Sequence, residues 1–158
     1  MIIGIDPGLD GAVCLIGSAL DYIVIYDTPT LTVQGASGNK REYNHVAMAA
    51  HLRPAAAKSV AYIEKVHAMP GQGVRSMFTM GVGLGMWMGI LAGLEIPITL
   101  VTPQRWKGVM LDGMGKDKDA SRLRAMQLRP RDTEFFQRKK DDGRAEAYLI
   151  AEYGRRIG

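Results

Sequence analysis

Ile2-Ile3-Gly4-Ile5-Asp6-Pro7-Gly8 decides how this chain is read. Apolar residues at successive positions, with no alternation to polar ones, mark a strand buried on both faces. The run ends on a carboxylate, and Pro7-Gly8 breaks the strand there. Asp6 is therefore expected where a central strand leaves its sheet. The pattern returns at Val60-Ala61-Tyr62-Ile63, which runs into Glu64. Near the C-terminus, Asp142 and Glu146 stand at i and i+4 in an alanine-rich segment, so they share one helix face. Like charges at that spacing destabilise an isolated helix by about 0.2–0.5 kcal/mol.

Working outward from the first strand, Ala12–Ile16 and Tyr22–Tyr26 read as its antiparallel neighbours, because the links are short. Residues 29–42 read as a mobile loop. Asn44 is placed to cap a helix over about 45–57, and Val60–Glu64 is the fourth strand. Met69-Pro70-Gly71-Gln72-Gly73 opens a glycine-rich helix over about 74–93, and Ile98–Val101 is the fifth strand. Thr102-Pro103 starts a short helix through Lys107. Residues 112–117 read as flexible, Asp119–Leu128 as a helix ended by Pro130, and about 143–154 as the last helix. The fold class is α/β: a mixed five-stranded sheet flanked by helices, in a single domain spanning 1–158. Strands one, four and five run parallel in this reading, so Asp6 and Glu64 meet at one sheet edge.

Crowded acids need a counter-charge. All-oxygen ligands suit Mg²⁺, with Mn²⁺ as a substitute, rather than zinc. Two such ions in one site divide the work of phosphodiester cleavage: one activates the water, the other stabilises the departing 3′ oxygen. Asp6, Glu64, Asp142 and Glu146 are the expected catalytic ligands, and Asp141 competes with Asp142 for the same role. The alternative is that each acid merely caps a turn or pairs with a nearby Lys or Arg. Asp10 reads as a turn residue.

Composition is that of an ordinary globular protein, with 47% hydrophobic and 23% charged residues. The lone cysteine, Cys14, lies in an apolar run and reads as a small buried hydrophobe. Met1 leads straight into a strand, which leaves no visible signal segment, and a reducing, cytoplasmic setting fits. From Ser76 to Leu94 there are 19 residues without a charge, long enough to span a membrane. Five of them are glycine, with Gly85, Gly89 and Gly93 four apart. The expectation is a buried helix whose bare face lets another backbone approach, and no membrane partner. Net charge is +4, but residues 105–158 hold 14 of the 20 Lys and Arg against nine acids. A basic half points to a polyanion partner.

Taken with these residues, the chain resembles the RuvC-type Holliday-junction resolvases, which have the ribonuclease-H-like fold. Ile-Gly-Ile-Asp-Pro-Gly (3–8) with Gly11-Ala12 is similar to the first family motif, Ile63-Glu64-Lys65-Val66 to the second, and Asp142 through Ala151 to the third. The nearest likeness is to a subgroup of phages, bacterial genomes and plant plastids. There Met-Pro-Gly-Gln-Gly (69–73), Thr-Pro-Gln-Arg-Trp-Lys (102–107), Lys-Asp-Lys-Asp-Ala-Ser-Arg (116–122) and Lys-Lys-Asp-Asp-Gly-Arg-Ala-Glu-Ala (139–147) recur. The resemblance covers nearly the whole chain. It implies a homodimer acting on branched DNA in recombination and repair, and Mg²⁺-dependent nicking of two opposed strands at a four-way junction. It also implies a bacterial, phage-infected or organellar setting. This chain departs from the pattern in three places. Glu146 replaces the usual Asp, the two helical ligands lie four rather than three apart, and His67 stands where the family places a junction-probing aromatic.

Candidate DNA contacts are His67, Gln72 and Arg75 near the end of the fourth strand, and Arg105 and Lys107 around Trp106. Lys116, Lys118, Arg122, Lys139, Lys140 and Arg144 extend them through the basic third. Trp106 reads as core or as a base-stacking residue. The rival readings are a ribonuclease-H-like nuclease acting on RNA–DNA hybrids or flaps, and a non-catalytic junction-binding module. A sugar kinase, which shares the first motif, is excluded by size.

Overall fold

The computed structural model describes residues 1–17, 22–35, 38–67, 71, 73–115 and 117–158. Five strands form one sheet: β1 (Ile2–Asp6), β2 (Ala12–Ile16), β3 (Ile23–Asp27), β6 (Val60–Glu64) and β7 (Ile98–Val101), in the order β3-β2-β1-β6-β7. β1 pairs antiparallel with β2 and parallel with β6, and β6 pairs parallel with β7. The mixed sheet and its parallel core are as the sequence predicts.

Both faces of β1, β2 and β6 are buried, and the pleat divides their side chains by parity. Ile3, Ile5, Val13, Leu15, Ala61 and Ile63 pack on one face with Met48, Leu52, Trp87 and Leu91. These last residues come from α1 (His45–Leu52) and α2 (Val74–Gly93). Ala12, Cys14, Ile16 and Tyr62 pack on the other face, against Trp106 of α3 (Pro103–Met110), Ala125 of α4 (Ala120–Leu128) and the apolar side of α5 (Asp142–Ile157). Asp6 and Glu64 continue the even-numbered row, so they look toward α3 and α5.

Close approach of α5 to β1 depends on two glycines. A Cβ on Gly4 would strike the backbone of Ala147 and Ala151. One on Gly143 would strike the carbonyl oxygen of Asp10. The first contact seats the helix on the central strand, and the second brings its N-terminus to the turn that follows Asp6.

Three expectations are corrected. Residues 29–42 are not a loop: β4 (Thr30–Gly35) and β5 (Gly38–Tyr43) form a separate antiparallel hairpin. Tyr43 anchors it, its hydroxyl donating to the carbonyl oxygens of Pro7 and Thr79, both at 3.2 Å. The long helix has the predicted bounds but is buried along one face only, through Gly83, Trp87 and Leu91. Its glycines 81, 85, 89 and 93 face open space. The helix is long and apolar enough to cross a membrane by length and composition. Its Trp87 and Leu91, however, belong to the core against the sheet. α1 also stops earlier than predicted, because Pro54 turns the chain into a 3₁₀ turn at Arg53–Ala55.

Candidate active site

β1 and β6 run parallel with Ile5 opposite Ile63, so the next residues along, Asp6 and Glu64, end side by side at one edge. α5 starts with Asp142 and presents Glu146 one turn later. Electrostatics show that these acids form one group. Burial raises the Asp6 carboxyl to about 7, and the charges of Glu146 and Glu64 add to the rise. Burial also raises Glu64 and Asp142, each pushed further by Glu146. Oδ1 of Asp142 is buried without a hydrogen-bond partner.

α3 supplies the contacts that hold this group. The Trp106 indole Nε1 donates to Oε2 of Glu64 at 2.7 Å, and Trp106 is fully buried. Lys107 Nζ lies 2.7 Å from Oε1 of Glu146. From α4, Ser121 Oγ donates to the same oxygen at 3.3 Å. Burial alone would lower the Lys107 ammonium, but Glu146, Glu64 and Asp142 outweigh it and raise it. Among the described residues, no three His, Cys, Asp or Glu side chains stand close enough, as they are, to hold a metal ion. Among the described residues, Lys107 is the cation that pairs directly with one of these four acids, while Arg122 acts on Asp142 through space.

Asp141 and Asp142 part company. Asp141 is 1% exposed and accepts from the Arg138 backbone N–H (2.8 Å) and guanidinium (2.8–3.1 Å). Those hydrogen bonds outweigh burial and hold its carboxyl below the usual range. It is a capping residue of the 3₁₀ turn at Lys139–Asp141, with both carboxylate oxygens engaged by Arg138. Asp142 is the acid that faces Glu146.

Two clefts meet at the acids. One, of about 750 Å³, is lined by Asp6, Asp142 and Glu146 with Arg41 from the hairpin and Arg75 from α2. The other is lined by Lys107, Lys118, Ser121, Asp142 and Glu146. Of the expected DNA contacts, Arg75, Lys107 and Lys118 thus line the clefts. Arg105, Lys139, Lys140 and His67 are exposed but line neither. Gln72 and Lys116 lie outside the described residues.

Two expected contacts are structural instead. Arg122 is 7% exposed; it donates to the carbonyl oxygens of Phe136 (3.5 Å) and Gln137 (3.0 Å) and pairs with Asp119. Arg144 forks onto Asp27 at 2.5 and 2.6 Å, tying α5 to the end of β3. Sequence reasoning missed Arg41, which pairs with Asp10 at 2.6 Å. Around it, Lys40-Arg41-Glu42 carries charge at every position, so the sequence offers no alternation that would mark a strand there.

The chain matches no protein-family model. It is 36% identical over 109 residues to the chloroplastic Holliday junction resolvase MOC1 of Chlamydomonas reinhardtii. That match spans 66% of this chain but only 12% of the much longer relative. Among solved structures it is similar to RuvC of Thermus thermophilus, with a TM-score of 0.60 and 16% identity, covering 100% of this chain and 97% of that one. It is also similar to T. thermophilus RuvC in complex with a Holliday junction substrate, with a TM-score of 0.57 and 13% identity over 99% and 94% of the two chains. The five-stranded mixed sheet flanked by helices is the ribonuclease-H-like fold of RuvC, and over 109 residues the sequence is similar to that of a chloroplastic Holliday junction resolvase.

Proposed function

We propose that this chain is a structure-selective DNA endonuclease that resolves four-way junctions by metal-dependent nicking of opposed strands. What supports this reading is that Asp6, Glu64 and Asp142 are each raised by the charge of Glu146, and that Asp6, Asp142 and Glu146 line clefts bearing arginine and lysine. The likeness to RuvC bound to a junction and to a junction resolvase supports the choice of substrate.

Mg²⁺ fits the residues present. The donors are all carboxylate oxygens, the preference of a hard ion. Oδ1 of Asp142 is stripped of water with no donor in reach, and a buried anionic oxygen in that state calls for a cation or a proton. Asp6, Glu64, Asp142 and Glu146 would hold the metal. When bound, a pair of ions supplies an activated water and neutralises the departing 3′ oxygen. The chain's own part is to place the scissile phosphate. Arg41 and Arg75 contact the strand on one side of the acids, and Lys118 on the other.

The homodimer forms through the open face of α2. Val74 and Phe78 are 78% and 73% exposed there, and Gly81, Gly85, Gly89 and Gly93 continue the stripe with nothing against them. A second copy covers it, because two such smooth faces allow close backbone approach. The setting that follows is the cytoplasm of a bacterial or phage-infected cell, or an organelle such as that of the chloroplastic relative.

The test compares a four-way junction, an RNA–DNA hybrid and a flap at equal concentration with Mg²⁺. Paired nicks near the junction centre, with the other two substrates spared, are expected. Preferential cutting of the hybrid or flap would replace this reading with the broader nuclease, and no cutting at all would favour a binding module.

A further inference from the structure

α3 has eight residues, Pro103–Met110, yet two consecutive side chains reach carboxylates from two different elements. Trp106 donates to Glu64 of β6 at 2.7 Å, and Lys107 pairs with Glu146 of α5 at 2.7 Å. The Trp106 ring is fully buried, so no water competes for its N–H. Its face also supports the ammonium, whose Nζ lies 5.0 Å from the ring centroid. The pair thus forms one rigid unit in which the indole N–H serves one acid and the cation beside the ring serves another.

The two contacts act differently on a metal. A hydrogen bond to Oε2 of Glu64 fixes the carboxylate and leaves Oε1 for an ion, as outer-shell donors do around metal ligands. An ammonium on Oε1 of Glu146 occupies an oxygen that an ion would need. Lys107 also acts on Asp6, Glu64 and Asp142 through space. One positive charge on a side-chain tether cannot offset all of these acids at once, which leaves negative charge for a divalent ion to neutralise. We infer that α3 keeps the site poised: Trp106 is a positioning residue that fixes Glu64, and Lys107 is a resident counter-charge that a divalent cation displaces from Glu146. This rests on the nuclease reading above and specifies how its site exchanges one cation for another.

The experiment titrates Mn²⁺ into the full chain without DNA, by calorimetry. Lys107→Met keeps the apolar stem and removes the competing charge; it should bind Mn²⁺ about 3- to 10-fold more tightly than wild type. Trp106→Phe should bind Mn²⁺ roughly 10-fold more weakly, within the range for outer-shell changes. Trp87→Phe provides a second readout that leaves Trp106 intact. It makes Trp106 the sole tryptophan, and Trp87 has a buried N–H with no acceptor to lose. Trp106 emission should then change as Mn²⁺ draws Lys107 off its ring, and adding Lys107→Met should abolish that change. Wild-type binding of Mn²⁺ with unaltered or weakened affinity in folded Lys107→Met would overturn this inference alone, as would Trp106 emission that ignores Mn²⁺. No Mn²⁺ binding by the wild type would overturn the nuclease reading with it.

Discussion

Gly4 of β1 lies against Ala151 of α5 so closely that a Cβ built on the glycine would come within 2.7 Å of the alanine Cβ. With the still closer approach to the Ala147 and Ala151 backbone, this contact limits the distance between the strand that ends on Asp6 and the helix that holds Asp142 and Glu146. Gly4→Val should force the helix outward and destabilise the chain by about 1–3 kcal/mol or more, the range for overpacking a buried site. Urea unfolding measures this. Stability within about 0.5 kcal/mol of wild type would mean that α5 is free to move, and the seating argument would fail.

Stability should depend on pH in the direction opposite to that of a salt-bridged acid. Asp6 has its folded pKa raised from 3.8 to about 7 by burial and by Glu146 and Glu64. The native state therefore keeps a proton that the unfolded chain releases. Unfolding free energy in metal-free buffer falls as pH rises from about 4 to about 7. Glu64 and Asp142, also raised, act in the same direction. Asp6→Asn should flatten this slope and raise the melting temperature at pH 8 by a few degrees. Saturating Mg²⁺ should reverse the wild-type loss. Calorimetric melts across that range decide; a wild-type chain whose stability climbs with pH would contradict the crowding of these acids.

The two adjacent aspartates should separate cleanly. Asp141→Asn weakens the pair with Arg138 and the cap on its backbone N–H, costing about 1–3 kcal/mol. Cleavage per folded molecule should hold. Asp142→Asn should leave stability unchanged or higher while cleavage and Mn²⁺ affinity collapse. Parallel unfolding and nicking assays check both. Reversed behaviour would return Asp141 to the ligand set.

Junction affinity should respond to Arg41, Arg75 and Lys118 and ignore Arg122. Each of the first three, changed to Ala, should weaken binding and lower the slope of log K against log salt by about 1. Arg122→Ala should lower the melting temperature without changing the slope, because its guanidinium is committed to Phe136, Gln137 and Asp119. Binding isotherms in Ca²⁺ at several salt concentrations measure this. A slope that drops for Arg122→Ala and not for Arg41→Ala would exchange their roles.

The open stripe on α2 predicts that Gly85→Leu or Gly89→Leu yields a folded monomer, read by sedimentation. A wild-type chain that is already monomeric at micromolar concentration would remove the second copy from the account.

How much of this was legible beforehand follows from the physics of each segment. β1 and β6 declare themselves because burial on both faces demands uninterrupted apolar runs, and the acids at their ends stand out against that background. The α2 bounds follow from the Gly73 start and from Gly93, Glu95 and Pro97, which close its apolar stretch. The hairpin was obscured because both its strands are largely exposed and carry polar residues, so no apolar row marks them. Arg122 and Arg144 looked like DNA contacts because sequence gives charge but not the partner that consumes it. Trp106 showed the opposite failure: a buried indole reads as packing, and only the fold reveals that its N–H reaches an acid 42 positions away.

The central claim is that these four carboxylates are a metal-dependent nuclease centre. It is tested most directly by incubating a four-way junction with wild type and with Asp6→Asn, each with and without Mg²⁺. The account predicts paired nicks by wild type with Mg²⁺ only, and undiminished junction binding without nicks by Asp6→Asn. Nicking that survives in folded Asp6→Asn, or that proceeds in chelator, would contradict it.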